Sequence, residues 1–274
     1  MKPALHRALT AATMCTALLA GMSAATRAQT APPPAAPLDT LPSFSVPFTV
    51  GERLVYTARF GPITVGEGTM EVLELQDVRG IEAWHTRFQL RGGLAFYKAD
   101  FNLESWFDVN RFNSLRFVNE SESGGKIREK RYEIFPDRQM YQENQLPEST
   151  SVADPLDEGA LLYYVRTMDL EVGKTYTLNR YFRPDRNPVI VKVLRREKVS
   201  VPVGTFNAIV IQPIIKARGI FSEGGEALVY LSDDKDRIPV QLRVRLSVGS
   251  ITLYLKSRTP SNGPSNVPDA NAKR

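Results

Sequence analysis

From Gly51 onward the sequence alternates apolar and polar residues with a period of two, and no other feature restricts the possible folds as tightly. Leu54, Tyr56, Ala58 and Phe60 fall on one side, with Arg53, Thr57 and Arg59 on the other. Successive side chains of a strand point to opposite faces, so the run reads as a half-buried β-strand. Gly61-Pro62 breaks it, and Ile63 begins a return through Met70, Val72 and Leu75. Further alternating runs lie at 84–90, 101–107, 127–135, 174–182, 189–199, 227–231, 240–246 and 251–255. Residues 206–215 are apolar on both faces, as in a central strand.

One segment departs from this period. In "DPLDEGALLYYVRTMDL", Asp154 is placed to cap a helix, Pro155 to occupy its first position and Asp157 to meet its positive end. Leu156, Ala160, Tyr163 or Tyr164, and Met168 fit a period of 3.6, which predicts a helix near 155–168.

The dipeptide Val-Gly recurs at 50–51, 65–66, 172–173, 203–204 and 248–249, mostly just ahead of an alternating run. Glycine there permits positive φ or a bulge at a strand entrance. The irregular spacing argues against a solenoid or propeller. The two glycines of Gly66-Glu67-Gly68 are expected to bend the first hairpin. The resulting expectation is a mainly β fold: antiparallel curved sheets, or a sandwich or half-barrel, in two β halves (about 48–150 and 170–258) around one central helix.

The N-terminus reads as an export signal over 1–28. Lys2, His6 and Arg7 precede the apolar run 8–20, and Ala25 or Ala28 ends it at a small residue. The run is shorter than the roughly 20 residues a spanning helix needs. Cys15, the only cysteine, lies inside that run in poor lipidation context, so the mature chain is expected to lack thiols and disulfides. Removing the signal takes three basic residues and no acidic one, lowering the net charge from +5 to about +2. Neither the location nor the charge suits a nucleic-acid partner. A proline-rich lead at 29–47 and a polar tail at 259–274 are expected to be unstructured, with no further membrane span.

No pattern of catalytic chemistry stands out. Gly66-x-Gly68 lacks the third glycine, the following helix and the lysine of phosphate-binding loops. After signal removal His85 is the only imidazole, and it is expected on an exposed polar face with Arg87 and Gln89, so neither a zinc set nor a hydrolytic triad is available. "SDDKDR" (232–237) lacks the glycine and distal glutamate of a calcium loop and reads as a turn. The acids Asp154/Asp157 and Glu120/Glu122 are too common a pairing to identify a glycosidase. Lys126, Arg128, Lys130 and Arg131, interleaved with acids, read as a solvated face, with contact to a membrane surface as the alternative. The aromatics Phe96, Tyr97, Phe101, Trp106 and Phe107 are either core or the lining of an apolar cavity.

Several pieces together carry a family resemblance: "F-x-VGE-x-L-x-Y" (48–56), "PLD" with "LLYYVR" (155–166), "L-x-VGK-x-Y" (170–176), "VPVGTF-x-A" (201–208), "YLSDD…R-IPV" (230–240) and "VGSI" (248–251). The chain resembles the exported bacterial domain-of-unknown-function family numbered 3108 over nearly all of 48–256. The resemblance implies an exported, β-rich envelope protein and supplies no reaction. Tyr230 stands where the family pattern often has tryptophan.

The leading expectation is a non-catalytic periplasmic protein, without cofactor or metal, that binds an apolar or amphipathic envelope component on a concave β face. Tyr163, Tyr164 and Arg166 are the candidate ligand residues, because paired aromatics beside an arginine suit a lipid-like molecule with an anionic head. The alternative for them is packing on the sheet, with Arg166 paired to an acid. The competing functions are an envelope assembly or scaffold factor acting through protein contacts and a carboxylate-only hydrolase using Asp154, Asp157 and 233–236.

Overall fold

The computed structural model describes residues 46–94, 97–123, 125–216, 227–245 and 249–259. The expected signal, nearly all of the lead, the tail from 260 and Phe96 lie outside them. Among the described residues fourteen strands form one antiparallel sheet. The first half runs as a meander through β1 (Arg53–Phe60), β2 (Ile63–Val78), β3 (Ile81–Leu94), β4 (Tyr97–Asp108), β5 (Ser114–Ser123), β6 (Lys126–Phe135), β7 (Met140–Glu143) and β8 (Ser149–Thr150). The chain then crosses through α1 (Glu158–Tyr164). It returns as β9 (Thr175–Leu178), β10 (Val189–Val201), β11 (Gly204–Ile214), β12 (Ala227–Ser232), β13 (Pro239–Arg245) and β14 (Ser250–Thr259). β14 pairs with β1, so the two meanders join into one sheet whose edges are β8 and β9.

The alternation read from the sequence sets the inner face. Leu54, Tyr56 and Ala58 of β1 enter one core cluster with Met70, Phe88, Leu103, Phe117 and Tyr132 from the first half and with Val191, Ile209, Val229, Leu242 and Leu253 from the second. A single cluster fed by both halves requires the sheet to curl on itself. The curl is drawn together near the edges: Leu156 N donates to Arg180 O, Phe182 N to Leu156 O, and Ser151 Oγ to Phe182 O. Phe182 packs edge-on against Phe117 and Tyr132, which lie five and six strands away from its own half in the sheet order.

The Val-Gly sites divide into two kinds. Glu52 N donates to Thr49 O, and Lys174 N to Glu171 O, with Gly51 and Gly173 both at φ +88°. These are matching turns with glycine in the position that demands positive φ. Each is followed by the same pair of bonds to a neighbouring strand, Gly51 with Val72 and Gly173 with Val193. Gly204 and Gly249 also take positive φ at strand entrances. The second TVGE is different: Gly66 lies inside β2, beside a register shift opposite Ala58/Arg59.

The helix is shorter than its 3.6 period suggested, and Asp157 rather than Asp154 caps it, through a 2.9 Å bond from Ala160 N. Pro155 and Leu156 are held extended instead, because Ser114 N donates to Pro155 O and Leu156 bridges to Tyr181. A 3₁₀ turn at Val165–Thr167 continues α1.

Candidate functional site

α1 closes one end of the curl. It packs against β3 and β4, where the Cβ of an alanine at Gly159 would stand 2.8 Å from Ser105 Cβ. Tyr163 is buried between Phe48 and Phe107, its hydroxyl donating to Glu71 O at 2.9 Å. Arg166 is buried beside it and forms two bonds to Glu52, at 2.6 and 2.9 Å, while also donating to the carbonyls of Pro47 and Asp236. Its guanidinium lies over the rings of Phe48 and Tyr163. Burial acts to lower the Arg166 pKa, and the hydrogen bonds and charge of Glu52 more than reverse this. Tyr164 is only half-buried, touching Phe112 and lying beneath Arg180. An open pocket of about 480 Å³ lies beside Arg166, bordered by residues 46–49 and by Lys235, Asp236 and Arg237.

Two adjacent carboxyl groups sit where α1 begins. Asp157 accepts from Ser105 Oγ at 2.7 Å and from Ala160 N, and Glu158 accepts from Tyr181 Oη at 3.0 Å. Burial pushes Asp157 up to about 6 and Glu158 up to about 7, and the bonds from Ser105 and Tyr181 offset only part of that rise. Folding therefore favours both groups protonated. Their contribution to stability is complete below the ordinary carboxylate values, near pH 4, and is lost as pH rises through 6 and 7. Urea midpoints measured from pH 4 to pH 7 are expected to show this fall, and the double variant D157N/E158Q is expected to remove it, each amide keeping one acceptor oxygen and the Ser105 hydroxyl turning to accept from the amide nitrogen at 157. Parallel pH profiles for the two proteins would contradict this assignment.

The inner face changes character away from the helix. One cross-strand row contains Leu54, Met70, Phe88 and Leu103, all at most 4% exposed. The next row contains Tyr56, Gly68, Leu90, Phe101, Ser121 and Arg128. Leu90, Phe101 and Ser121 in this row are only half-buried, and Arg128 is exposed. The row thus forms an apolar floor that grades into a polar rim along β5 and β6. The strand period also separates the charges of β6. Arg128 and Lys130 share the face of Tyr132, which is in the core, whereas Glu129, Arg131 and Glu133 lie on the opposite, convex face. The basic run is therefore not one solvated face.

The convex face has its own furniture. A shallow pocket of about 270 Å³ there is bordered by Asp100, Glu120, Glu122, Glu129, Arg91 and Ile127, whose side chain is 77% exposed. His85 is on this face but is half-buried rather than exposed, because it stacks on Trp106 at 4.1 Å. Its ring nitrogens face Glu104 at 2.9 Å and Glu74 at 3.4 Å, and the His85 bond holds the Glu104 pKa below its ordinary value. No group of three or more histidine, cysteine or acidic residues among the described residues has metal-binding geometry.

Of the candidates expected from sequence, Tyr163 and Arg166 meet each other at the closed end, and Tyr164 faces outward beside them. Glu52 is not among those candidates, and Arg128 enters the sequence reading only as part of the basic run of β6. The matching turns could have pointed to Glu52, since it takes the place of Lys174 after the same glycine yet is buried. For Arg128 the signal was its period-two relation to Tyr132. The aspartates Asp233 and Asp234 are occupied within the 232–238 turn: Asp233 pairs with Arg196 and Arg237, and Asp234 accepts from Ser232 Oγ and from the amides of 236 and 237. No helix among the described residues is long and apolar enough to cross a membrane.

Comparison with known proteins locates the chain by family and fold. A family model described as "Protein of unknown function (DUF3108)" matches residues 55–256. No curated protein matches the sequence. A β-barrel-like protein of the domain of unknown function DUF1849 from Brucella abortus is similar in structure, with a TM-score of 0.54 at 14% identity, over 78% of this chain and 99% of that one. A DUF1089 family protein from Pseudomonas aeruginosa aligns with a TM-score of 0.38 at 12% identity, over 65% of this chain and 89% of that one.

Proposed function

Because the chain belongs to the DUF3108 family, whose description assigns no activity, we propose its function from its own geometry: it is a non-catalytic envelope protein that holds the apolar chain of an amphiphile on the concave face of the sheet. The observation that carries this is the step between neighbouring inner rows, from Phe88 and Leu103, which are buried, to Leu90 and Phe101, which are not. An apolar floor left partly open inside a curved sheet is the usual lining of a small-molecule site. Gly68 contributes no side chain to that row, and Leu253 packs over it from β14. α1, Tyr163 and Arg166 form the closed end behind the floor, and Tyr164 is the one of the three sequence candidates with surface to offer a ligand. Export to the periplasm belongs to the same proposal and is supported by the n-region and apolar run of residues 1–28.

Binding of dodecyl maltoside below its micellar concentration, followed by native mass spectrometry and by titration calorimetry, tests the reading. A one-to-one adduct is expected, weakened about tenfold or more in Phe101→Asp and Leu90→Asp, since burying one such side chain against a ligand contributes about 1.5–3 kcal/mol. Absence of an adduct, or unchanged affinity in both variants, would overturn it.

A further inference from the structure

We infer that the concave face selects amphiphiles with an anionic head, and that Arg128 is the residue that reads it. The inference rests on the reading above and names the ligand class. Arg128 is in register with Ser121, which is in register with Phe101, which is in register with Leu90. Neighbouring strands lie about 4.8 Å apart, so Arg128 stands roughly 10 Å from Phe101 along one row. An arginine side chain spans much of that distance. The same row therefore offers, in order, a hydrocarbon floor, a hydroxyl and a guanidinium.

Arg128 is also uncommitted. It is exposed and has no ion pair or hydrogen bond among the described residues. Its inner-face neighbour Lys130 is bound to Glu143, and Glu143 also lies 4.0 Å from Arg183, so that acid is already shared by two cations. The glutamates flanking Arg128 in sequence and across the ladder, Glu129, Glu120 and Glu122, belong to the convex face. β7 pairs with β6 only from Tyr132 onward, so no strand covers the edge beside Arg128. A guanidinium left free at the rim of an apolar floor complements a carboxylate, sulfate or phosphate head and repels a cationic one.

Three dodecyl probes of equal chain length separate the two layers of the argument: laurate, dodecyl maltoside and dodecyltrimethylammonium. Laurate is expected to bind about tenfold tighter than the maltoside at low salt, with trimethylammonium weakest. Arg128→Ala should bring laurate to the maltoside value without changing the maltoside, and Arg128→Glu should make trimethylammonium the preferred probe. The side chain is exposed, so neither variant threatens folding. Equal binding of all three probes to the wild type, or a laurate preference that survives in Arg128→Ala, would overturn the anionic-head inference while leaving the concave site standing. If none of the three binds, both readings fall together.

Discussion

Glu52→Ala is expected to destabilise the protein by about 3–5 kcal/mol, the usual consequence of leaving one member of a buried ion pair without its partner. Arg166 is among the largest fully buried side chains, and Glu52 accepts two hydrogen bonds from it. The Arg166 side chain has no exposed surface, and Phe48, Tyr163 and the Pro47 and Asp236 carbonyls pack around its guanidinium. The pair links the turn before β1, the 3₁₀ extension of α1 and the turn before β13, so its loss should loosen the whole closed end. A double variant with methionine at both positions is expected to recover much of the loss, since packed apolar side chains often replace a buried pair at little cost. Urea denaturation followed by far-ultraviolet circular dichroism reads both effects. An unchanged midpoint in Glu52→Ala would show that Arg166 is reached by solvent.

Gly66→Ala is expected to cost about 1–3 kcal/mol, in the range of other overpacking substitutions, while Gly68→Ala should change stability by no more than about 0.5 kcal/mol. A Cβ at Gly66 would lie 2.2 Å from Arg91 O and 2.6 Å from Gly92 Cα, both backbone atoms that cannot swing away. At Gly68 the nearest atoms are Gln89 O at 3.4 Å and a Leu253 methyl at 3.5 Å, which is ordinary contact. Gly92 is the mirror of Gly66, with Val65 O only 2.4 Å from its added Cβ, so Gly92→Ala should behave like Gly66→Ala. The two glycines face each other across β2 and β3 and let the strands approach closely there. Equal effects at 66 and 68 would remove that account.

The contrast between Gly66 and the other Val-Gly sites shows how far the amino-acid pattern reaches. Gly51, Gly173, Gly204 and Gly249 all take positive φ before a strand, as their place ahead of alternating runs implied. Such turns are local, and a glycine with its flanking period is enough to define them. Gly66 looks identical in sequence, yet it sits within β2 because what it needs is room for Gly92, a residue on another strand. The helix repeats the lesson. Its apolar spacing was legible, but its start was not, because Pro155 and Leu156 are claimed by Ser114 and Tyr181.

What the sequence by itself determined is most of the strands, though not β5, β7 or β8, together with glycine turns that open several of them, the crossover helix and the family. These follow from periodicity and backbone preference, which act over a few neighbouring residues. Only the tertiary structure decided that Glu52 and Arg166 would meet across 114 residues, and that Arg128 would share the face of Tyr132, which is in the core. A period of two says which side chains share a face. It does not say which face becomes the inside. That choice is made when β14 pairs with β1 and the curled sheet buries the side carrying the larger apolar area.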